Sequence, residues 1–115
     1  MRGTCSMAGC KAIVPSPLEG EGVCVVHFIV AVENACGEMR RETALGRAPR
    51  ERQVEIMQYI AGRGELLART ATSGMVLADE MKARILNTFL TLMNLRENLD
   101  RAALRQPIGR TGASR

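Results

Sequence analysis

The first regular pattern of hydrophobic positions in this sequence lies between Val23 and Leu45. Apolar residues recur there in steps of three and four, at Val25, Phe28, Val32, Ala35 and Met39. This spacing keeps side chains on one face of an α-helix. The β-branched residues in its first half prefer a strand locally, but the pattern is longer than a normal strand. The sequence therefore predicts a helix over 23–45.

A second helix is predicted from about Arg50, after a break at Gly46 and Pro49, because the residue before a proline is turned away from helical geometry. The spacing of its apolar and small residues predicts an inner face of Val54, Met57, Ala61, Gly64, Ala68 and Ala71. Gly62 and Gly64 each cost about 1 kcal/mol relative to alanine inside a helix. We therefore expect any kink or break of this helix at these two glycines.

The third predicted helix, from about Val76 to Leu104, carries a continuous polar stripe. The stripe consists of Arg84, Asn87, Thr91, Asn94, Asn98 and Arg101. Most other side chains between Met81 and Leu95 are apolar and cover more than half of the helix circumference. One neighbouring helix rarely buries so wide a face, so either both other helices or a second chain must cover it. We expect a homodimer with Leu86, Phe89, Leu90 and Met93 at the interface.

Composition agrees with packed helices in one small domain of 115 residues. Hydrophobic residues make up 46% of the chain, but aromatic residues only 3%, so the core must be largely aliphatic. The predicted fold is mainly α, with an N-terminal loop joined to a three-helix bundle. Residues 1–45 hold the loop and first helix, and residues 46–106 a helical hairpin that completes the bundle. The tail 107–115 is predicted to be disordered.

The N-terminal loop carries Cys5 and Cys10, and Cys24 and His27 follow where the first helix begins, which predicts that this loop is a zinc-knuckle loop. Closely spaced cysteines of a reducing compartment bind metal more often than they form disulfides, and Cys3His is a standard tetrahedral zinc set. With Cys24 in the first turn of the first helix, His27 lies one turn further on the same edge. Cys5 and Cys10 then come from a loop that folds over this edge. The sequence predicts one structural Zn²⁺ on these four residues.

The expected charge of this site is near −1, which the helix N-terminus and the adjacent Lys11 favour. Two alternatives stay open: ordinary core packing of Cys24 and His27 above a flexible N-terminus, or a redox dithiol, although the chain has no Cys-x-x-Cys. Cys36 is predicted to be a buried thiol rather than a fifth ligand.

The segments Cys5-Ser-Met-Ala-Gly-Cys10 and Val23-Cys24-Val-Val-His27-Phe28 resemble the short zinc knuckles at the start of small uncharacterised bacterial proteins. In those knuckles, as in treble-clef-like fingers, the second ligand pair opens a helix. The resemblance covers about the first 30 residues and the later helices only in outline. It implies a metal role without implying a biological process.

Little in the sequence indicates catalysis. Four protein ligands leave a zinc ion no open coordination position. Glu19 and Glu21 lie in a Gly-rich loop as solvated charges, and no Gly-Lys-Ser/Thr phosphate loop is present. We therefore expect no enzyme and no small-molecule substrate. The prediction is a zinc-stabilised helical interaction or regulatory module that binds a protein partner or itself.

The alternative function is a small nucleic-acid-binding regulator. The formal net charge is +4, and Arg101, Arg105 and Arg110 lie in an Arg-rich C-terminal segment that could contact phosphates. The zinc-knuckle segment is charge-neutral, and there is no aromatic platform for base stacking, so we favour the interaction module. The sequence has no secretory-signal pattern and no apolar stretch near the roughly 20 residues of a membrane span. A cytoplasmic protein without a membrane partner is expected.

Overall fold

The computed structural model describes residues 3–105, with side chains described for residues 3–101. Within this range the chain forms three helices, α1 (Val25–Ala44), α2 (Arg50–Ala71) and α3 (Asp79–Arg105). A single 3-10 turn, Ser16–Leu18, precedes them. The only β-type pairing among the described residues is an isolated antiparallel bridge between Thr4 and Ile13. The predicted helical bundle is confirmed.

The predicted inner face of α1 is confirmed. Its buried side chains are Val25, Phe28, Ile29, Val32, Cys36 and Met39. Ala35, which the spacing also placed on this face, is half-buried against the same core. The β-branched residues at the start of α1 do not divert it into a strand, because the helical conformation buries a continuous apolar face.

The predicted inner face of α2 is wrong except at Gly64, which is buried, and Met57, which is half-buried against the core. Val54 is 50% exposed, and Ala61, Ala68 and Ala71 are exposed as well. The core is instead formed by Ile56, Ile60, Gly64, Leu67 and Thr70. Both faces have helical spacing, but burial of isoleucine and leucine removes more apolar area from water than burial of alanine does. α2 is also a continuous helix through both glycines.

α3 packs against both α1 and α2. Its buried side chains are Ile85, Thr88, Leu92, Leu95 and Leu99. Phe89, on the wide apolar face of this helix, is half-buried against the same core. The Thr88 hydroxyl donates a hydrogen bond to the Arg84 carbonyl of the preceding turn at 2.8 Å. This bond satisfies the hydroxyl within its own helix and allows a polar residue to enter the core.

α2 runs antiparallel to both α1 and α3. Arg52 near the start of α2 forms a two-pronged ion pair with Glu42 near the end of α1, with Nε–Oε1 and Nη2–Oε2 distances of 2.8 and 3.0 Å. Further along α2, Gly64 faces Phe89 of α3. An ion pair of 3.2 Å joins Arg84 of α3 to Glu33 of α1. Among the described helices, none has the combined length and hydropathy that a membrane crossing requires.

Candidate metal centre

The first two candidate ligands lie in a loop closed by backbone hydrogen bonds. The Cys5 N–H donates to the Ala12 carbonyl at 2.9 Å, beside the Thr4–Ile13 bridge. The Cys10 N–H donates to the Met7 carbonyl at 3.0 Å, and Gly9 between them has a φ of +79°. A positive φ of this kind is readily adopted by glycine. The tight turn therefore returns Cys10 towards Cys5.

The other two candidate ligands lie at the start of α1. Cys24 immediately precedes the helix in an extended conformation, and His27 lies in its first turn. The Ser6 N–H donates to the Gly22 carbonyl at 2.9 Å, which ties the N-terminal loop to the segment just before Cys24. Both ligand pairs thus belong to segments that backbone hydrogen bonds hold together.

The four ligand atoms converge as the spacing predicted. The three sulfurs and a His27 ring nitrogen all lie within 4.8 Å of one another. His27 Nδ1 is 3.2 Å from Cys5 Sγ and 3.3 Å from Cys24 Sγ, and the Sγ atoms of Cys10 and Cys24 are 3.9 Å apart. Cys5 and Cys24 are buried, whereas Cys10 and His27 are half-buried. This cluster can hold a metal ion.

Three of the six separations between ligand atoms are close to the edges of a tetrahedral ligand shell. With metal–sulfur bonds of about 2.3 Å and metal–nitrogen bonds of about 2.0 Å, a tetrahedron has edges of about 3.8 Å between sulfurs and about 3.5 Å between sulfur and nitrogen. The separations of 3.2, 3.3 and 3.9 Å lie close to those edges. The remaining pairs lie within 4.8 Å, so side-chain shifts of about 1 Å or less would bring all four atoms to bonding distance of one ion.

The two cysteines of the loop differ in acidity. Burial raises the pKa of the Cys5 thiol, but backbone hydrogen bonds at Met7 and Cys24 and side-chain hydrogen bonds with His27 and Cys10 outweigh it and lower the pKa to about 6. For Cys10, a backbone hydrogen bond at Ala12 lowers the pKa of the thiol. Burial and the neighbouring thiols outweigh this effect, so the pKa is raised above its usual value. Cys5 is therefore the thiol more readily ionised to the thiolate that binds metals.

Arg63 of α2, which the sequence did not indicate as a functional residue, lies beside the ligand cluster. The Arg63 guanidinium lies 5.7 Å from the Phe28 ring centroid and 5.2 Å from that of Tyr59. Arg63 Nη1 also pairs with Glu21 Oε1 at 2.9 Å. Glu21 lies in the loop between the ligand pairs, and Phe28 directly follows His27. Arg63 therefore ties α2 to both segments that carry the ligands.

Cys36 lies outside the cluster, as predicted. Its side chain is 1% exposed, and burial raises the pKa of its thiol. Glu21 is engaged by Arg63 rather than simply solvated, which corrects the expectation for this residue. Glu19 is exposed, as expected for a solvated carboxylate.

The residues predicted for a dimer interface lie along one flank of α3. Leu86 and Leu90 are 56% and 53% exposed, whereas Phe89 and Met93 are half-buried beside Gly64 of α2. Of the four residues, only Leu86 and Leu90 are therefore largely exposed in the single chain, whereas Phe89 and Met93 pack against α2.

Of the three arginines in the nucleic-acid hypothesis, Arg101, Arg105 and Arg110, the structure describes the side chain of Arg101 alone. Arg101 is exposed on α3, and its Nη2 lies 3.9 Å from Glu97 Oε1. Arg105 ends α3, but its side chain is outside the described set. Arg110 and the predicted disordered tail 107–115 lie outside the described residues.

Comparisons with protein-family models, with curated proteins and with solved structures found no match to this chain. The geometry of the cluster therefore carries the functional argument. The second ligand pair stands at the start of a helix, as the spacing predicted.

Proposed function

We propose that this chain binds one Zn²⁺ ion through Cys5, Cys10, Cys24 and His27 and that the ion has a structural role. The observation that carries the proposal is the approach of all four ligand atoms to within 4.8 Å of one another. Sulfur and imidazole donors in a tetrahedral arrangement are typical of zinc. Because four protein ligands complete a tetrahedral shell, no position is left for a reacting water. The role proposed is therefore non-enzymatic.

The proposed zinc joins two parts of the molecule that are distant in sequence. Cys5 and Cys10 belong to the N-terminal loop, and Cys24 and His27 to the start of α1, so one ion fixes the loop on the helical bundle. Apolar side chains around this junction remain exposed, among them Ile13 at 59% and Val76 at 96%. Large exposed apolar surfaces mark sites of protein association. We infer a helical interaction or regulatory module that binds a protein partner, with Ile13 and Val76 beside the ligand cluster as part of its contact surface.

Native mass spectrometry of chain purified from zinc-replete cells tests the metal proposal. We expect the mass of one zinc ion per chain, and we expect Cys24→Ser to abolish stoichiometric binding because three remaining ligands do not close the shell. Cys36→Ser is the matched control, since it removes a buried thiol outside the cluster, and this variant should retain the ion. A metal-free wild-type chain, or a Cys24→Ser variant that still holds one zinc, would contradict the proposal.

A further inference from the structure

A groove of about 530 Å³ lies beside the metal cluster, between the N-terminal loop and the segment that joins α2 to α3. Residues 11–13 form one wall and residues 75–78 the other, and residues 24–26 at the start of α1 line the space between them. Its lining is mostly apolar, and Lys11 is the only residue in it with a formal charge. We call this surface the loop groove.

One wall of the loop groove is the outer edge of a short antiparallel pairing. On its inner side, the Ala12 carbonyl accepts a backbone hydrogen bond of 2.9 Å and the Val14 N–H donates one of 3.1 Å, both involving residues 3–5. Backbone groups of successive residues in such a pair point to opposite sides. Those of Lys11 and Ile13 therefore point away from this pairing, and they have no hydrogen-bond partner among the described residues.

The loop groove lies on this outer side. Residues 11–13 line it, whereas residues 3–5 do not. In the opposite wall, the backbone groups of Val76 and Leu77 also have no hydrogen-bond partner within the described part of the chain. Val76 is 96% exposed and Ile13 is 59% exposed. Both walls thus combine available backbone donors and acceptors with apolar side chains that face water.

This combination matches the chemistry of an extended peptide. Donors and acceptors that repeat at every second residue are complementary to the backbone of another strand, which can add to the edge by main-chain hydrogen bonds. Alternate side chains of such a strand point to the same face, so its apolar residues can enter the groove together. A nucleic acid would require several cations for its phosphates, and the groove has one.

The charge at this edge favours a strand from another protein over a second copy of the chain. Lys11 is exposed and forms no ion pair with the described residues. A lysine on a sheet edge opposes pairing between identical edges, because like charges then meet. An acidic residue opposite Lys11 is favourable, as for other cross-strand pairs of opposite charge.

The candidate metal centre positions this edge. Cys10 directly precedes Lys11, and the Cys5 N–H donates to the Ala12 carbonyl. Cys24 itself lines the loop groove. The groove is therefore continuous with the ligand cluster, and an ion held there would fix the edge that receives the peptide.

We propose that the loop groove binds an extended apolar peptide segment of a partner protein, which adds as a strand to residues 11–13 and places an acidic side chain beside Lys11. The inference rests on the proposed interaction-module function and names the chemistry of its partner.

Selection from a displayed library of random peptides tests the inference on the immobilised, zinc-loaded full chain. The peptides have about eight residues, which is a normal strand length. We expect enrichment of sequences in which apolar residues occupy alternate positions and an acidic residue is present. Absence of any enriched peptide would overturn the inference.

Val76→Glu tests whether the selected peptide occupies the loop groove. Val76 is almost fully exposed, so the variant should keep the circular dichroism and zinc content of the wild type. It should weaken the peptide at least about tenfold, because a carboxylate then meets apolar side chains. Val54→Glu is the matched control, since it makes the same change at an exposed valine outside the groove. Its effect should stay below about twofold, and equal effects of the two variants would contradict the proposal.

Methylation of the peptide's backbone nitrogens, one at a time, tests strand pairing. In a strand that adds to the edge, only every second N–H faces residues 11–13, so binding should weaken at alternate positions. A scan without this alternation would show that the peptide does not pair as a strand.

Sedimentation velocity and zinc analysis of the same samples separate the remaining outcomes. A dimer of the peptide-free chain that Val76→Glu dissociates would assign the groove to a second copy and overturn the inference. A zinc-loaded chain that selects no peptide removes only the inference, whereas a metal-free chain that binds the peptide in the groove removes only the zinc proposal.

Discussion

Arg63 is the residue that connects the bundle to the candidate metal centre. Its guanidinium lies over two aromatic rings, one on α1 and one on α2, and pairs with Glu21 of the loop. Cation–π contacts contribute about 0.5–1 kcal/mol each at partly exposed sites. Burial also raises the pKa of Tyr59, so its phenol stays neutral beside the arginine at physiological pH. Arg63 thus stabilises the loop through contacts that involve no metal ligand.

Replacement of Arg63 by alanine should lower the free energy of unfolding by about 1–3 kcal/mol, the sum expected of two cation–π contacts and a half-buried ion pair. Urea denaturation of the zinc-loaded protein measures this loss. Arg40→Ala provides the control, because Arg40 is exposed on α1 and its removal should cost only a few tenths of a kcal/mol, within the usual range of surface substitutions. Equal losses for the two variants would show that the Arg63 contacts are not stabilising.

The prediction of α2 shows what helical periodicity determines and what it leaves open. The pattern placed the start of the helix correctly at Arg50, because Pro49 and the helical spacing mark it clearly. It did not identify the buried face. The predicted set of residues, which begins at Val54, and the buried set, which begins at Ile56, both follow steps of three and four. Only packing against α3 and the loop distinguishes the two. Arg63 lies beside the buried set, three residues after Ile60, and was missed for the same reason.

Substitution Gly62→Ala should stabilise the protein by about 0.5–1 kcal/mol. Gly62 lies inside α2, and a Cβ there would meet nothing within 4 Å, so alanine gains helix propensity without a clash. Thermal and urea unfolding measure the gain. Gly74→Ala is the opposing control, because Gly74 has a φ of +85° and an L side chain is strained there. A loss for Gly62→Ala would indicate that α2 needs a flexible point at this residue.

For the whole molecule, the N-terminal segment is attached to the bundle by core contacts and by the Arg63–Glu21 ion pair as well as by the ligand cluster. Cys5 and Cys10 are attached through the ligand cluster, but Val14 and Leu18 are 3% and 0% exposed within the helical core. The 3-10 turn that contains Leu18 packs on α2. The core contacts do not depend on a metal, so only the first part of the loop should rely on zinc.

Removal of zinc by a chelator should therefore loosen residues 5–12 and leave the core of α2 and α3 intact. Hydrogen exchange followed by mass spectrometry should show lost protection of the Cys5 and Cys10 amides, whose partners are Ala12 and Met7. Peptides covering Ile56 to Leu67 serve as the internal reference and should keep their protection. Loss of protection throughout the chain would mean that the bundle itself folds only with metal, as small zinc fingers do.

The site was more predictable from the sequence than the core was. Soft ligands at restricted spacing have few alternative uses, so Cys5, Cys10, Cys24 and His27 were identified as a set, and the structure brings them together. Thr88 shows the limit of the same approach. Nothing in the sequence distinguishes a threonine whose hydroxyl bonds back to Arg84 from one that faces water. Its burial follows from the angle at which α3 meets its neighbours.

The position of Cys24 has a consequence for helix capping. Cys24 is the N-cap residue of α1 and makes no side-chain hydrogen bond to the first turn. Serine is among the best N-cap residues, since its oxygen accepts a bond from a free amide of that turn, typically stabilising a helix by about 1 kcal/mol. Cys24→Ser therefore removes a metal ligand and supplies a cap at the same atom position. Helix stability measured in this variant understates the contribution of the metal, and Cys24→Ala, which neither binds nor caps, reveals it in full.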